Sequence, residues 1–83
     1  MGNKTIRELE QEIEENSAVY EFYQRQPYTL VVVNYVNEKY ESITGFGFSK
    51  VAHPDKWDAE VGYDIAYRRA IRDIRKQLEE GTG

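Results

Sequence analysis

Four basic residues near the C-terminus are spaced so that they could bind phosphate groups or an acidic protein. Their positions follow i, i+4, i+7 and i+8, which places all four on one face of a helix. Arginine and lysine side chains on such a face make charge-assisted hydrogen bonds to phosphate or carboxylate oxygens. One lysine earlier in the chain extends the set. The predicted contact residues for a partner or a phosphate are Lys50, Arg68, Arg72, Arg75 and Lys76.

A second charged set, of opposite sign, lies near the N-terminus, where five glutamates fall between positions 8 and 15. An acidic helix face can present phosphate-like charge to a basic partner protein. We expect Glu8, Glu12 and Glu15 to form this acidic contact face. Two simpler interpretations stay open for both sets. Each face is solvated, or the acidic and basic helices pair with each other.

The chain offers little for catalysis. His53 is the single histidine, and Asp55 and Asp58 are close enough in sequence to orient it as a general base. A His-Pro pair between a strand and a helix more often shapes a turn, and no clear nucleophile or oxyanion pocket accompanies it. The nearby acids do not follow the spacing of a calcium loop, and cysteine is absent. We therefore predict a protein that is not an enzyme and has no cofactor and no metal.

Length and composition narrow the class of protein. A chain of 83 residues predicts a single domain over 1–83, and a formal charge of −4 disfavours general nucleic-acid binding. No apolar run has the length of a membrane span, and the N-terminus lacks the pattern of a signal peptide. We expect a cytoplasmic protein that does not enter a membrane. Seven tyrosines favour a role in binding, because interfaces are enriched in tyrosine.

The first predicted element is an N-terminal helix over 4–24. Thr5 and Glu8 have the spacing of a capping box, and Ile6, Leu9 and Ile13 then form one apolar stripe. The helix either continues through Asn16-Ser17 or breaks there. Pro27 ends it, because proline biases the residue before it away from helix.

A β-hairpin is predicted over 28–52, followed by a C-terminal helix over 58–80. Neither face of the first strand, 28–37, is clearly polar, which indicates that it is covered on both sides near its start. In the second strand, Gly45 and Gly47 leave one side without side chains, so a helix backbone can approach closely. The last helix has a broad apolar stripe in which Ala66 and Ala70 permit that approach.

These elements predict an α+β fold in the order helix–strand–strand–helix, with an antiparallel sheet packed against the long C-terminal helix. A kink in the long second strand could add a third strand. A two-stranded hairpin alone is marginally stable. Either both helices pack on the sheet or a homodimer extends it, and the sequence leaves monomer and dimer open.

The segment from Gly45 to Ala70 resembles a motif of small phage and prophage proteins. The similar positions cover about 45–75 and include GFGFSK, His-Pro-Asp, Trp57-Asp58, Gly62, Ile65-Ala66 and Arg69-Ala70. Such proteins are similar in architecture to double-stranded-RNA-binding domains. The resemblance implies that fold and a phage-encoded product in the host cytoplasm. It also implies that the protein binds a host protein, because small acidic phage proteins often inhibit host defence enzymes such as CRISPR effectors.

The resulting functional prediction is a small binding protein that inhibits or modulates a host protein, in an anti-defence role. The alternative is binding of nucleic acid or nucleotide through the basic face of the last helix. Salt dependence would distinguish the two, because phosphate binding weakens with salt in proportion to the contacts made.

Overall fold

The computed structural model describes residues 5–51 and 58–81. Its elements, in chain order, are α1 (Ile6–Glu15), β1 (Ser17–Arg25), β2 (Tyr28–Val36), β3 (Ser42–Lys50) and α2 (Ala59–Gly81). The three strands form one antiparallel sheet in the order β1–β2–β3, and α2 packs on the sheet. The predicted α+β class, with an antiparallel sheet against a long C-terminal helix, is confirmed.

One half of the predicted capping box starts α1, while the Glu8 carboxylate accepts from the Thr5 hydroxyl at 3.1 Å and not from the Thr5 amide. The Thr5 hydroxyl accepts a hydrogen bond from the Glu8 amide at 3.1 Å, which satisfies a backbone donor that no helical carbonyl can reach. At the other end, the Asn16 side-chain amide donates to the Glu12 carbonyl at 2.9 Å, and the Asn16 backbone amide also bonds back into the last turn. The helix therefore ends at Glu15, after ten residues.

The prediction of a helix over 4–24 is wrong beyond Glu15. The chain continues as strand β1, which pairs with β2 from Ser17 opposite Tyr35 to Arg25 opposite Tyr28. Valine and aromatic residues are frequent in this segment and favour strands, and the ladder with β2 satisfies their backbone groups. The third strand thus comes from 17–25, ahead of the predicted hairpin, and not from a kink within the second predicted strand.

Two irregular features shape β1. The register shifts by one residue between Val19 and Glu21, which places a β-bulge at Tyr20. The turn to β2 contains Gln26 and a cis peptide bond to Pro27. Pro27 therefore ends a strand, where the sequence indicated the end of a helix.

The close approach predicted from the glycines is present. A Cβ atom built on Gly47 would lie 1.7 Å from the Ala66 carbonyl oxygen, and one on Gly45 would lie 2.5 Å from the Ala70 carbonyl oxygen. These two strand positions and the two small helix residues let α2 lie directly on β3. The buried core joins Ile13 of α1 to the α2 and β2 residues Ala66, Ala70, Ile71, Ile74, Val31, Val33 and Tyr35.

The helix α2 lies mainly over β3 and β2, and α1 packs mainly against α2. One side of the sheet therefore faces the helices, and β1 lies at the margin of the covered region. Among the described residues, no helix is long and apolar enough to span a membrane.

Candidate binding surfaces

Arg75, one of the predicted contact residues, is engaged within the molecule. Its Nε lies 2.9 Å from a carboxylate oxygen of Glu10, and its Nη1 lies 2.6 Å from a carboxylate oxygen of Glu79. The Arg75 side chain is only 13% exposed. Hydrogen bonds to Glu79 and Glu10 raise the pKa of the guanidinium. Arg75 thus links α1 to α2, as in the interpretation in which the two charged helices pair.

The other basic residues do not form one continuous surface. Arg68 pairs with Asp64 at 3.1 Å on the exposed side of α2. Arg72 and Lys76 are exposed and make no ion pair with a residue that the structure describes. Lys50 lies on the side of the sheet that faces away from α2, where its Nζ is 5.7 Å from the centre of the Tyr28 ring. The structure therefore brings Arg68, Arg72 and Lys76 together on α2 and separates Lys50 from them.

The predicted acidic face of α1 is also divided. Glu8 takes part in the capping box, Glu12 is half-buried, and Glu15 is exposed. Glu10, which was not among the predicted contacts, forms an ion pair with Arg75 of the basic helix. Sequence periodicity places all five glutamates on α1, but only the packing of α1 against α2 selects the one that forms the interhelical pair.

The most distinctive surface is the side of the sheet that faces away from α2, which we call the open sheet face. It carries five aromatic rings with exposures between 44% and 73%: Tyr20, Tyr23, Tyr28, Phe46 and Phe48. No described element covers these rings. The prediction that the start of β2 is covered on both sides is therefore wrong within the described part of the chain, because Thr29 is buried but Tyr28 on the other side is 44% exposed.

Strand register arranges the open sheet face in rows. The first row, next to the β1–β2 turn, is Arg25, Tyr28 and Lys50. The next row is Tyr23, Leu30 and Phe48, followed by Glu21, Val32 and Phe46. Residues directly opposite each other on antiparallel strands share a face, so each row crosses the sheet. Two cations therefore border a field of aromatic and aliphatic side chains at one end.

The rings near the basic row contact one another. Tyr28 stacks on Phe48 with a centre-to-centre distance of 5.8 Å and an angle of 28° between the planes. The Tyr23 hydroxyl donates a hydrogen bond of 2.6 Å to Glu21, which raises the pKa of the Tyr23 phenol. The open sheet face offers broad apolar contact, a stacking platform and a few charges at its border. These are the properties of a binding surface.

Part of this surface was visible in the sequence. Phe46 and Phe48 share a face with Lys50 by strand alternation, and the seven tyrosines favour a role in binding. The prediction of a helix over 17–24 concealed the rest, because it placed Tyr20 and Tyr23 on a helix and away from the sheet. The aromatic and β-branched residues after Asn16 were the signal that could have revealed β1.

The residues considered for catalysis, His53 and Asp55, lie outside the described residues. Asp58 lies at the start of α2, where its carboxylate accepts a hydrogen bond from the Glu60 amide at 2.9 Å, as expected of an N-cap. Within the described ranges, no group of three or more His, Cys, Asp or Glu residues could hold a metal ion. No family model, curated protein or solved structure matches this chain.

Proposed function

We propose that this protein acts by binding another protein through the open sheet face, without catalysing a reaction. The observation that carries the proposal is the set of five partly exposed rings on the side of the sheet that none of the described elements covers. A large aromatic side chain buries about 200 Å² when fully enclosed, so the five half-exposed rings leave on the order of 500 Å² of contiguous area. The largest apolar patch on a typical monomer is about 300–600 Å² and often has a function, so an area of this size suits a binding role.

The centre of this patch has the composition of an interface core. Phe46, Phe48 and Val32 adjoin one another on two paired strands, and the charged residues Arg25, Lys50 and Glu21 lie around them. Protein interfaces concentrate their binding energy in such central aromatic residues and place charges at the rim. We therefore assign the main contacts to Phe46 and Phe48.

The resemblance of residues 45–75 to small phage proteins supports a narrower form of the proposal. In that form the partner is a host protein, such as a defence nuclease, that this protein inhibits or modulates in the host cytoplasm. The exposed cations Arg72 and Lys76 and the exposed Glu15 are then secondary contacts outside the open sheet face.

Affinity capture with cross-linking and mass spectrometry tests the proposal. The Phe46→Thr/Phe48→Thr variant removes two rings while keeping residues that suit a strand. We expect this variant to fail to capture a protein that the unaltered chain captures. Nuclease treatment should leave capture by the unaltered chain unchanged. Val61→Ala is the matched control, because Val61 is a similarly exposed apolar residue on α2 and not on the sheet. Capture that survives loss of the rings but fails in Arg72→Glu/Lys76→Glu would contradict the proposal and assign binding to α2.

The basic row favours single-stranded nucleic acid as a second candidate ligand. Arg25 and Lys50 border the stacked rings of Tyr28 and Phe48, and such proteins combine cations for the backbone with rings on which bases stack. This differs from the sequence-based alternative, which used the basic face of α2, because Arg75 there is held by Glu10 and Glu79.

Fluorescence anisotropy with a labelled oligothymidylate separates these options. Two phosphate contacts predict that affinity falls roughly sevenfold between 50 and 200 mM salt. Arg25→Gln/Lys50→Gln should then abolish binding, while Arg72→Gln/Lys76→Gln leaves it unchanged. The reverse pattern would assign nucleic-acid binding to α2. If the protein bound neither oligothymidylate nor oligoadenylate, single-stranded nucleic acid would be excluded as the ligand.

A further inference from the structure

The two edges of the sheet differ in how their backbone groups are satisfied. Along β3, three side chains of α2 each bond to one outward-pointing backbone group, on the alternate residues Thr44, Phe46 and Phe48. Gln77 donates to the Thr44 carbonyl at 2.8 Å, Asp73 accepts from the Phe46 amide at 3.0 Å, and Arg69 donates to the Phe48 carbonyl at 2.7 Å. Arg69, Asp73 and Gln77 are four residues apart on α2, a rise of about 6 Å, and their partners on β3 are two residues apart, a rise of about 6.8 Å. The spacing of the helix side chains therefore matches that of the strand groups.

This row of side chains closes the β3 edge. An added strand would need the same carbonyls and amides, and it would have to displace Arg69, Asp73 and Gln77 to reach them. Proteins commonly protect exposed edge strands in this way, since an unprotected edge is a template for pairing with another chain. Strand addition at β3 is therefore disfavoured.

The β1 edge has no comparable protection among the described residues. In an antiparallel sheet, the backbone N–H and C=O groups of successive residues point alternately to the two sides of the strand. The Phe46 amide points away from β2, and following the alternation across the β3–β2 and β2–β1 pairs gives the direction of each residue in β1. The backbone groups of Phe22 and Gln24 point away from β2, toward solvent. The side chains from Tyr20 to Tyr23 are all exposed, and they include rings on both faces of the strand. An added strand would satisfy the backbone groups and cover the flanks of these rings.

The charges on β1 indicate which strand fits there. Glu21, Tyr23 and Arg25 share the open sheet face. When two copies of β1 run antiparallel with Tyr23 opposite Tyr23, each Glu21 lies opposite Arg25 of the other copy. Opposite charges in facing positions stabilise a strand pair, whereas centring the pair on Glu21 would bring two carboxylates together. The bulge at Tyr20 and the turn at Pro27 limit the pairing segment to 21–25.

We propose that a second copy of this chain pairs with the β1 edge in this register, and that the homodimer has one six-stranded sheet. The two-fold axis runs perpendicular to the sheet through the Tyr23 pair, so the interface is isologous. Phe22 and Gln24 then exchange backbone hydrogen bonds with Gln24 and Phe22 of the other copy. Both open sheet faces lie on the same side of the joined sheet, where they form one surface of twice the area.

Charge exchange tests the register directly. Sedimentation velocity over a range of protein concentrations should show a monomer–dimer equilibrium for the unaltered chain. In a dimer of Glu21→Lys, a lysine faces Arg25 at both of the equivalent positions, and in a dimer of Arg25→Glu, a glutamate faces Glu21 at both. Each substitution should therefore weaken the dimer roughly tenfold or more. An equimolar mixture of the two single variants should form heterodimers of native affinity, because both facing pairs are then of opposite charge. Glu38→Lys, in the turn before β3, is the matched control and should leave the dimer unchanged.

A disulfide provides a second test, since the chain contains no cysteine. Facing residues of a pair without mutual hydrogen bonds have side chains close enough for a disulfide. We expect Tyr23→Cys to cross-link into a dimer under mild oxidation, whereas Tyr28→Cys, on the same face one strand further in, stays monomeric. A chain that remains monomeric at all concentrations, or charge variants that leave dimerisation unchanged, would overturn the proposal. Neither outcome depends on what binds the open sheet face.

Discussion

Gly47 is the residue at which the position of α2 depends most directly on a missing side chain. A Cβ atom there would lie 1.7 Å from the carbonyl oxygen of Ala66 and 2.5 Å from the backbone nitrogen of Ala70. Both contacts are to helix backbone, which cannot turn aside as a flexible side chain can. The helix as a whole would have to move away from β3.

We therefore expect Gly47→Ala to lower the free energy of unfolding by more than about 3 kcal/mol, beyond the usual cost of an added methyl group in a packed core. Thermal unfolding followed by circular dichroism measures this change. Thr44→Ala, at an exposed position of the same strand, is the control and should cost less than about 1 kcal/mol. A similar melting temperature for both variants would show that α2 tolerates displacement.

At the scale of elements, an ion pair connects the two helices in addition to their shared apolar core. Arg75 of α2 lies between Glu10 of α1 and Glu79 of its own helix, in a position with little solvent. The pair Arg68–Asp64 has similar chemistry but lies within α2, and its two side chains are 73% and 61% exposed. Solvent screening weakens exposed pairs more than shielded ones.

A double-mutant cycle on Arg75→Gln and Glu10→Gln should give a coupling energy of about 1 kcal/mol, measured by urea unfolding. The matched cycle on Arg68→Gln and Asp64→Asn should give no more than about 0.5 kcal/mol, as is typical of exposed pairs four residues apart on a helix. If the two cycles gave equal values, Arg75 would not link α1 to α2 in energetic terms.

At the scale of the whole molecule, Tyr67 joins several elements and makes stability depend on alkaline pH. Its ring stacks on Tyr63 and packs against the core, and burial raises the pKa of its phenol above the usual 10.0. Nearby negative charge on Glu14 acts in the same direction, and a hydrogen bond with Ser17 opposes it. The folded state thus favours the neutral phenol more than the unfolded state does.

The sign of the effect follows from linkage. A raised pKa in the folded state means that this contribution to stability is fully present below pH 10 and is lost as pH rises through the folded-state pKa. We expect the denaturant concentration at the unfolding midpoint to decrease as the pH is raised above 10. The decrease should be smaller in Tyr67→Phe. Tyr40→Phe, at an exposed turn position, should follow the unaltered chain. Identical pH profiles for all three proteins would exclude Tyr67 as the group responsible.

In the part of the chain that the structure describes, one side of the sheet is covered and the other is not, and one edge is closed and the other open. The same helix produces both asymmetries, because α2 covers the inner side while its Arg69, Asp73 and Gln77 close the β3 edge. Binding through the open sheet face and pairing through β1 therefore use different parts of the molecule, and both can occur together.

Local patterns in the sequence determined much of this architecture. The Thr5–Glu8 capping box, the valine-rich composition of 28–36 and the apolar stripe of α2 all gave the correct element, and α2 begins and ends within one residue of the predicted 58–80. The glycines at 45 and 47 predicted the close helix approach. These features succeed because helix capping, side-chain periodicity and steric contact act over a few residues.

Only the tertiary structure decided three further points: that 17–25 is a strand, that Glu10 pairs with Arg75, and that neither described helix lies over one side of β2. Each depends on groups distant in the sequence. A segment with mixed propensity becomes a strand when a neighbouring strand satisfies its backbone groups, and a glutamate pairs with the arginine that helix packing brings to it. Burial of a sheet face depends likewise on where the helices come to lie, which no local pattern in the strand itself encodes.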